Sequence, residues 1–109
     1  MGKFEINKDK AGKFRFNLKA GNHQVILSSQ GYATKSACEN GIESVRKNSK
    51  DDKMFDRKKA KDGSPYFSLK SSNGQVIGSS EMYSSTSAMS KGIASIKKNA
   101  PKAKVQDNL

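Results

Sequence analysis

Reactive side chains are scarce in this chain of 109 residues: it holds one histidine, His23, and one cysteine, Cys38. Nucleophilic catalysis needs a thiol or hydroxyl beside a base, and a zinc site needs several His, Cys or carboxylate groups converging, so a lone His and a lone Cys supply neither. His23 falls in a turn between two alternating apolar runs and reads as a turn residue. Cys38 falls on an apolar helical stripe and reads as a small buried hydrophobe. Asp51 and Asp52 sit in the joint between two halves of the chain, where an acidic pair reads as solvated loop rather than as metal ligands. Apart from lysine and serine, Tyr32 and Tyr83 are the only reactive groups that recur. A catalytic phenol would need a depressed pKa, and packing beside a helix start is the expected role. The opening Gly12 is solitary and no phosphate-cradling glycine pattern is present. The chain therefore reads as a non-enzyme with no catalytic, cofactor-binding or metal-binding residues.

What the side chains offer instead is charge. Lys and Arg number 21 against 10 Asp and Glu, a formal net charge of +11 with a pI near 9.9. Such a balance favours acidic partners, namely nucleic acid, an anionic membrane or an acidic protein, and it also keeps a small protein soluble. Strand alternation places Arg15, Lys19, Tyr66 and Lys70 on one outward sheet face, with Arg57, Lys58, Lys59 and Lys61 in a neighbouring basic loop. Cations with an exposed ring can contact phosphates and stack a base, as in proteins that bind single strands. The same alternation turns Ile26 and Ile77 outward, where a covering partner would be natural unless the register slips by one residue. The resulting expectation is a binding module for nucleic acid or another polyanion. The alternative is a protein-interaction or stress-associated accessory domain using the same face through Ile26 and Ile77. No small-molecule substrate is inferred. Met1 to Glu5 contain no leader-like apolar run and no stretch reaches the roughly 18 apolar residues of a membrane span, so a cytoplasmic protein without membrane contact is expected.

The elements that would position these residues come in duplicate. Residues 4–49 return as residues 55–100, with about 21 of 46 aligned positions identical, which marks a repeated supersecondary unit. Phe14, Phe16 and Leu18 alternate with polar residues in one copy, as Phe67 and Leu69 do in the other, predicting strands with one buried face. Asn73-Gly74 and its counterpart Asn22-His23 predict hairpin turns, followed by return strands at Gln24–Ser29 and Gln75–Ser80. Val25 and Leu27 are expected on the inner face. Short opening strands are expected near Phe4–Lys8 and Met54–Lys58. Ala37, Cys38, Gly41, Ile42 and Val45, repeated as Ala88, Met89, Gly92, Ile93 and Ile96, predict a helix in each copy. Gly41 and Gly92, in mid-helix, suggest a close helix-to-sheet approach. Thr34 or a Ser36–Glu39 capping box opens the first helix. Each copy is too small to hold a core alone, so one co-folded α+β domain is expected, with repeat 1 near 1–53 and repeat 2 near 54–109. The segments Lys50–Arg57 and Lys102–Asp107 are candidates for a further strand after each helix.

Several stretches carry a resemblance: Phe16-Asn17-Leu18-Lys19, Gly21-Asn22, Glu39-Asn40-Gly41-Ile42, and Gly63 followed by Tyr66-Phe67-Ser68-Leu69. On these the sequence resembles the YegP-like family of small bacterial and archaeal proteins, in particular its duplicated subfamily, over nearly the whole chain. The second copy departs from the helix motif, with Ser90 and Lys91 where the first has Glu39 and Asn40. The resemblance implies two tandem β-β-β-α-β units forming one antiparallel-rich sheet, with both helices on one face and the last strands exchanged between units. It also implies a monomer, and it transfers no catalytic or binding residue.

Overall fold

Three strands and a helix are laid down twice. In a computed structural model that describes residues 2–109, β1 (Lys3–Lys8), β2 (Phe14–Lys19), β3 (Val25–Ser29) and α1 (Lys35–Asn48) are followed by β4 (Phe55–Lys59), β5 (Pro65–Lys70), β6 (Val76–Ser79) and α2 (Thr86–Asn99), then by β7 (Lys104–Asp107). All seven strands form one sheet in the order β4-β5-β6-β3-β2-β1-β7, so the expected α+β architecture, a single sheet with two helices, is present. β7 runs parallel to β1, and the other neighbours are antiparallel. At the centre Ser28 lies opposite Ser79, a residue facing its own counterpart, so a local two-fold axis passes between β3 and β6.

Each helix carries the chain from the centre of the sheet to an edge. α2 delivers β7 to the far side of the first unit, beside β1, which is an exchanged last strand. The segment after α1 behaves differently: it makes a single 3-10 turn at Asp52–Met54 and enters β4 directly, so the sheet has seven strands rather than eight. The short stretch between Asn48 and Phe55 has to close one unit and open the next, and it is too short to hold a separate strand.

The helices are cut where side chains can replace missing backbone partners. Thr34, rather than Ser36, caps α1 by accepting the Ala37 N–H at 3.1 Å, and Ser85 caps α2 through Ala88 at 3.0 Å. At the other ends Asn48 and Asn99 donate to the Ser44 and Ser95 carbonyls, both at 2.8 Å. Phe4, Ile6, Phe16, Leu18 and Leu27, joined by Phe55, Phe67 and Leu69, meet Cys38, Ile42, Val45, Met89, Ile93 and Ile96 in one apolar core. Burying each large side chain there contributes roughly 1.5–3 kcal/mol.

One irregularity reassigns side chains between faces. Leu18 pairs with Leu27, but Lys19 pairs with Val25, so Ile26 is an extra residue; Leu69, Gly78, Lys70 and Val76 repeat the pattern around Ile77. Such a bulge turns two consecutive residues to one side. Ile26 and Ile77 are therefore core residues, 8% and 4% exposed, not the outward ones that strict alternation predicts. Val25, expected inside, instead shares the outer face with Lys19.

Candidate nucleic-acid interface

Because the helices cover one side of the sheet, the other side is displayed, and β-strand alternation decides what it carries. β1 contributes Lys3, Glu5 and Asn7, and β2 contributes Arg15, Asn17 and Lys19. Glu5, 9% exposed, sits between Lys3 and Lys19 at 3.0 Å from each ammonium. Hydrogen bonds from Lys19, then Lys3, hold its carboxyl below the ordinary value of 4.5, although burial opposes the shift. The second unit repeats the device: Asp56 lies 3.1 Å from Lys70 and 3.8 Å from Lys58. Arg15 donates from Nε to Asp9 Oδ2 at 2.7 Å and from Nη1 to the Ser29 carbonyl at 3.3 Å. That guanidinium, followed by the Lys13 N–H, keeps the Asp9 carboxyl below its usual range.

Between these charged flanks the sheet has a floor of small polar groups. Asn17 is opposite Ser28, Ser68 is opposite Ser79, and the Ser68 and Ser79 hydroxyls are 3.1 Å apart. Half-buried Tyr66 stands across from Lys58 on this face. The structure thus places Arg15, Lys19, Lys58, Tyr66 and Lys70 on one face, the first two on β2 and the others on β4 and β5 across the central β6 and β3. It separates the remaining candidates, because residues 57–61 are not one loop. Arg57 and Lys59 belong to β4 and alternate onto the helix side, with Arg57 opposite Phe67 and 3.5 Å from Asp52, while Lys61 lies in the following turn. Sequence reasoning missed Lys3, Glu5, Asp56 and Lys104, the last aligned with Lys3 through the β7 pairing. The recurrence of an acid at Glu5 and Asp56 was the available signal.

The other reactive groups are packed against the core or set in a turn. Tyr32 stacks on Phe16 at 6.2 Å and Tyr83 on Phe67 at 6.1 Å, and each phenol lies over a helix glycine. Burial raises both phenol pKa values, the opposite of activation. Burial, aided by Glu39, pushes the Cys38 thiol up to about 11. His23 adopts φ 69° in its turn. No helix among the described residues is long and apolar enough to cross a membrane.

Known proteins share this fold. The family described as "Domain of unknown function (DUF1508)" matches residues 9–56 and again 60–107. A UPF0339 protein of Bordetella pertussis is 50% identical over 98% of this chain and 96% of its own length. The UPF0339 protein YegP of Escherichia coli is 46% identical over 98% and 97%. The solution NMR structure of a UPF0339 protein from Shewanella oneidensis superimposes with a TM-score of 0.92 at 45% identity, covering 97% of this chain and 90% of that one. The NMR structure of E. coli YegP gives 0.94 at 46% identity, covering 98% and 92%. With both sequence and fold matched along its length, the chain belongs to the YegP-like UPF0339/DUF1508 family.

Proposed function

We propose that this protein is a non-enzymatic binding module for nucleic acid or another polyanion, a cytoplasmic monomer of the duplicated subfamily in which two repeats fold as one domain. The observation that carries the reading is the charge on the outer sheet face. Lys3, Arg15, Lys19, Lys58, Lys70 and Lys104 occupy it against the strand carboxylates Glu5 and Asp56. Each carboxylate bridges two lysines and so holds them in place while leaving a net positive cluster. An arriving phosphate then meets ammonium groups already ordered, and the serine and asparagine floor adds neutral donors. With Tyr66 as the single ring on this face, stacking contributes at one point and recognition is tolerant of sequence.

Amide NMR spectra recorded during addition of short single-stranded RNA, single-stranded DNA and duplex DNA at physiological salt test this. Shifts around Arg15, Lys19, Tyr66 and Lys70 are expected. Lys19→Ala with Lys70→Ala should weaken binding across sequences and flatten the salt dependence by about 1.4 to 1.8 logarithmic units of slope. Spectra unmoved by all three probes would make the charge a solubility feature. The protein-interaction alternative loses its apolar contact point, since Ile26 and Ile77 lie in the core.

A further inference from the structure

We infer that a second seat for polyanions, shaped for the phosphodiester backbone of single-stranded nucleic acid, lies on the exposed side of α2 between Lys91, Lys98 and Lys102. This rests on the polyanion reading above but is independent of the sheet face. The three lysines line a groove of about 660 Å³ whose walls include Gly2, Ala94 and Ser95. Lys91 and Lys98 are two helical turns apart on one side of α2, about 10 Å along the axis, near enough to engage neighbouring phosphates of one flexible strand. Lys102 continues the row just past the helix end.

Their charge is uncommitted. Lys3, Lys19, Lys58 and Lys70 on the sheet are each tied to a carboxylate, whereas none of the three groove lysines forms an ion pair among the described residues. Glu81 shares an adjoining groove with Lys91 without pairing to it. The small wall residues matter as well: a methyl on Gly2 would run into the Lys19 carbonyl oxygen and lie 3.0 Å from Asn99 Cβ, so backbone rather than a side chain forms this wall of the groove. A concave, lysine-rimmed groove suits a flexible strand that can bend into it, while a rigid duplex meets only the rim. Since no aromatic ring lines it, the grip is on phosphates and indifferent to base identity.

The site also belongs to one half of the molecule. The positions matching Lys91, Lys98 and Lys102 in the first unit are Asn40, Lys47 and Asp51, one cation and one anion. Duplication has thus kept the fold of both units while concentrating free charge on the second helix.

The test measures binding of a labelled oligothymidylate, a duplex of equal length and polyglutamate by the full chain across a salt series. It compares K91A/K98A/K102A with K19A/K70A and with a control, K47A/K50A/K53A, that removes three exposed lysines elsewhere. The helix variant, folded as judged by its circular dichroism, should reduce the salt slope for the oligothymidylate by about 2, from three contacts at roughly 0.7 each. A fourfold rise in salt then costs it about 16-fold less affinity than it costs the unmodified protein. Wild-type binding by the helix variant alongside weakened binding by the sheet variant would overturn the groove and leave the sheet-face reading standing. Equal losses in the helix variant and the control would reduce the effect to bulk charge and overturn it too. A loss of duplex or polyglutamate affinity in the helix variant as large as its loss for the single strand would refute the assigned ligand, and no binding of any probe by the unmodified protein would remove the polyanion reading itself.

Discussion

At residue scale the two copies act as mutual controls, because the same position is solved twice with different side chains. The hairpin residue that turns the chain has φ 84° at Gly74 and φ 69° at His23, a region where a β-carbon is strained by about 1–2 kcal/mol. His23→Gly should therefore stabilise the protein by about 1 kcal/mol, a rise of roughly 4–8 °C in a thermal melt. An unchanged or lowered melting temperature would mean that the imidazole makes up for the strain. Glu5 gives a pH prediction. Its carboxyl is depressed by Lys19 and Lys3, so its stabilising effect is complete above the ordinary value of 4.5 and is lost as pH falls below it through the depressed value. Denaturant melts of Glu5→Gln should show a shallower acid limb than the unmodified protein and little difference in shape above pH 5. That His23 is a turn residue was legible from its neighbours. That Glu5 is clamped by lysines from two strands was not, because Lys19 reaches it only across the β1–β2 pairing.

At the scale of elements, strands and helices were legible wherever a period is uninterrupted. Phe14, Phe16 and Leu18 announce β2, and the apolar stripe from Cys38 to Val45 announces α1. The bulges were not legible, since a repeat of two assumes that every residue pairs and says nothing of the extra one at Ile26 or Ile77. Gly41 and Gly92 were read correctly as close-packing positions, although what they admit is a tyrosine rather than sheet backbone. A methyl at Gly92 would lie 2.6 Å from Tyr83 Cζ, and at Gly41 2.8 Å from Tyr32 Cζ. Stacking on Phe67 keeps the Tyr83 ring from retreating. Alanine gains about 1 kcal/mol of helix propensity, but overpacking costs about 1–3 kcal/mol, so Gly92→Ala should lower the urea midpoint while Ser90→Ala, on the exposed side, should not. A Gly92→Ala protein with a raised midpoint would show that the ring moves freely.

At the scale of the whole molecule, the centre of the sheet explains why the copies have ceased to be interchangeable. Leu27 and its counterpart Gly78 flank the β3–β6 axis, and a β-carbon on Gly78 would lie 2.8 Å from the Ser28 carbonyl oxygen and 3.1 Å from Leu27 Cγ. One large and one small residue fit there; two leucines do not. Residues 1–53 and 54–109 produced as separate chains should accordingly prefer each other to themselves, and native mass spectrometry of the mixture should show mainly the mixed pair. A statistical mixture of pairs would mean that the leucine contact is easily repacked. By itself the sequence determined the duplication, the β-β-β-α order, the apolar faces and the net charge of +11, because each is a local or periodic property written along the chain. Only the tertiary structure decided which cations are spent on carboxylates and which stay free. Ion pairing depends on distances across strands and between units, such as Lys70 to Asp56 and Lys97 to Asp52, and no spacing along one chain encodes these.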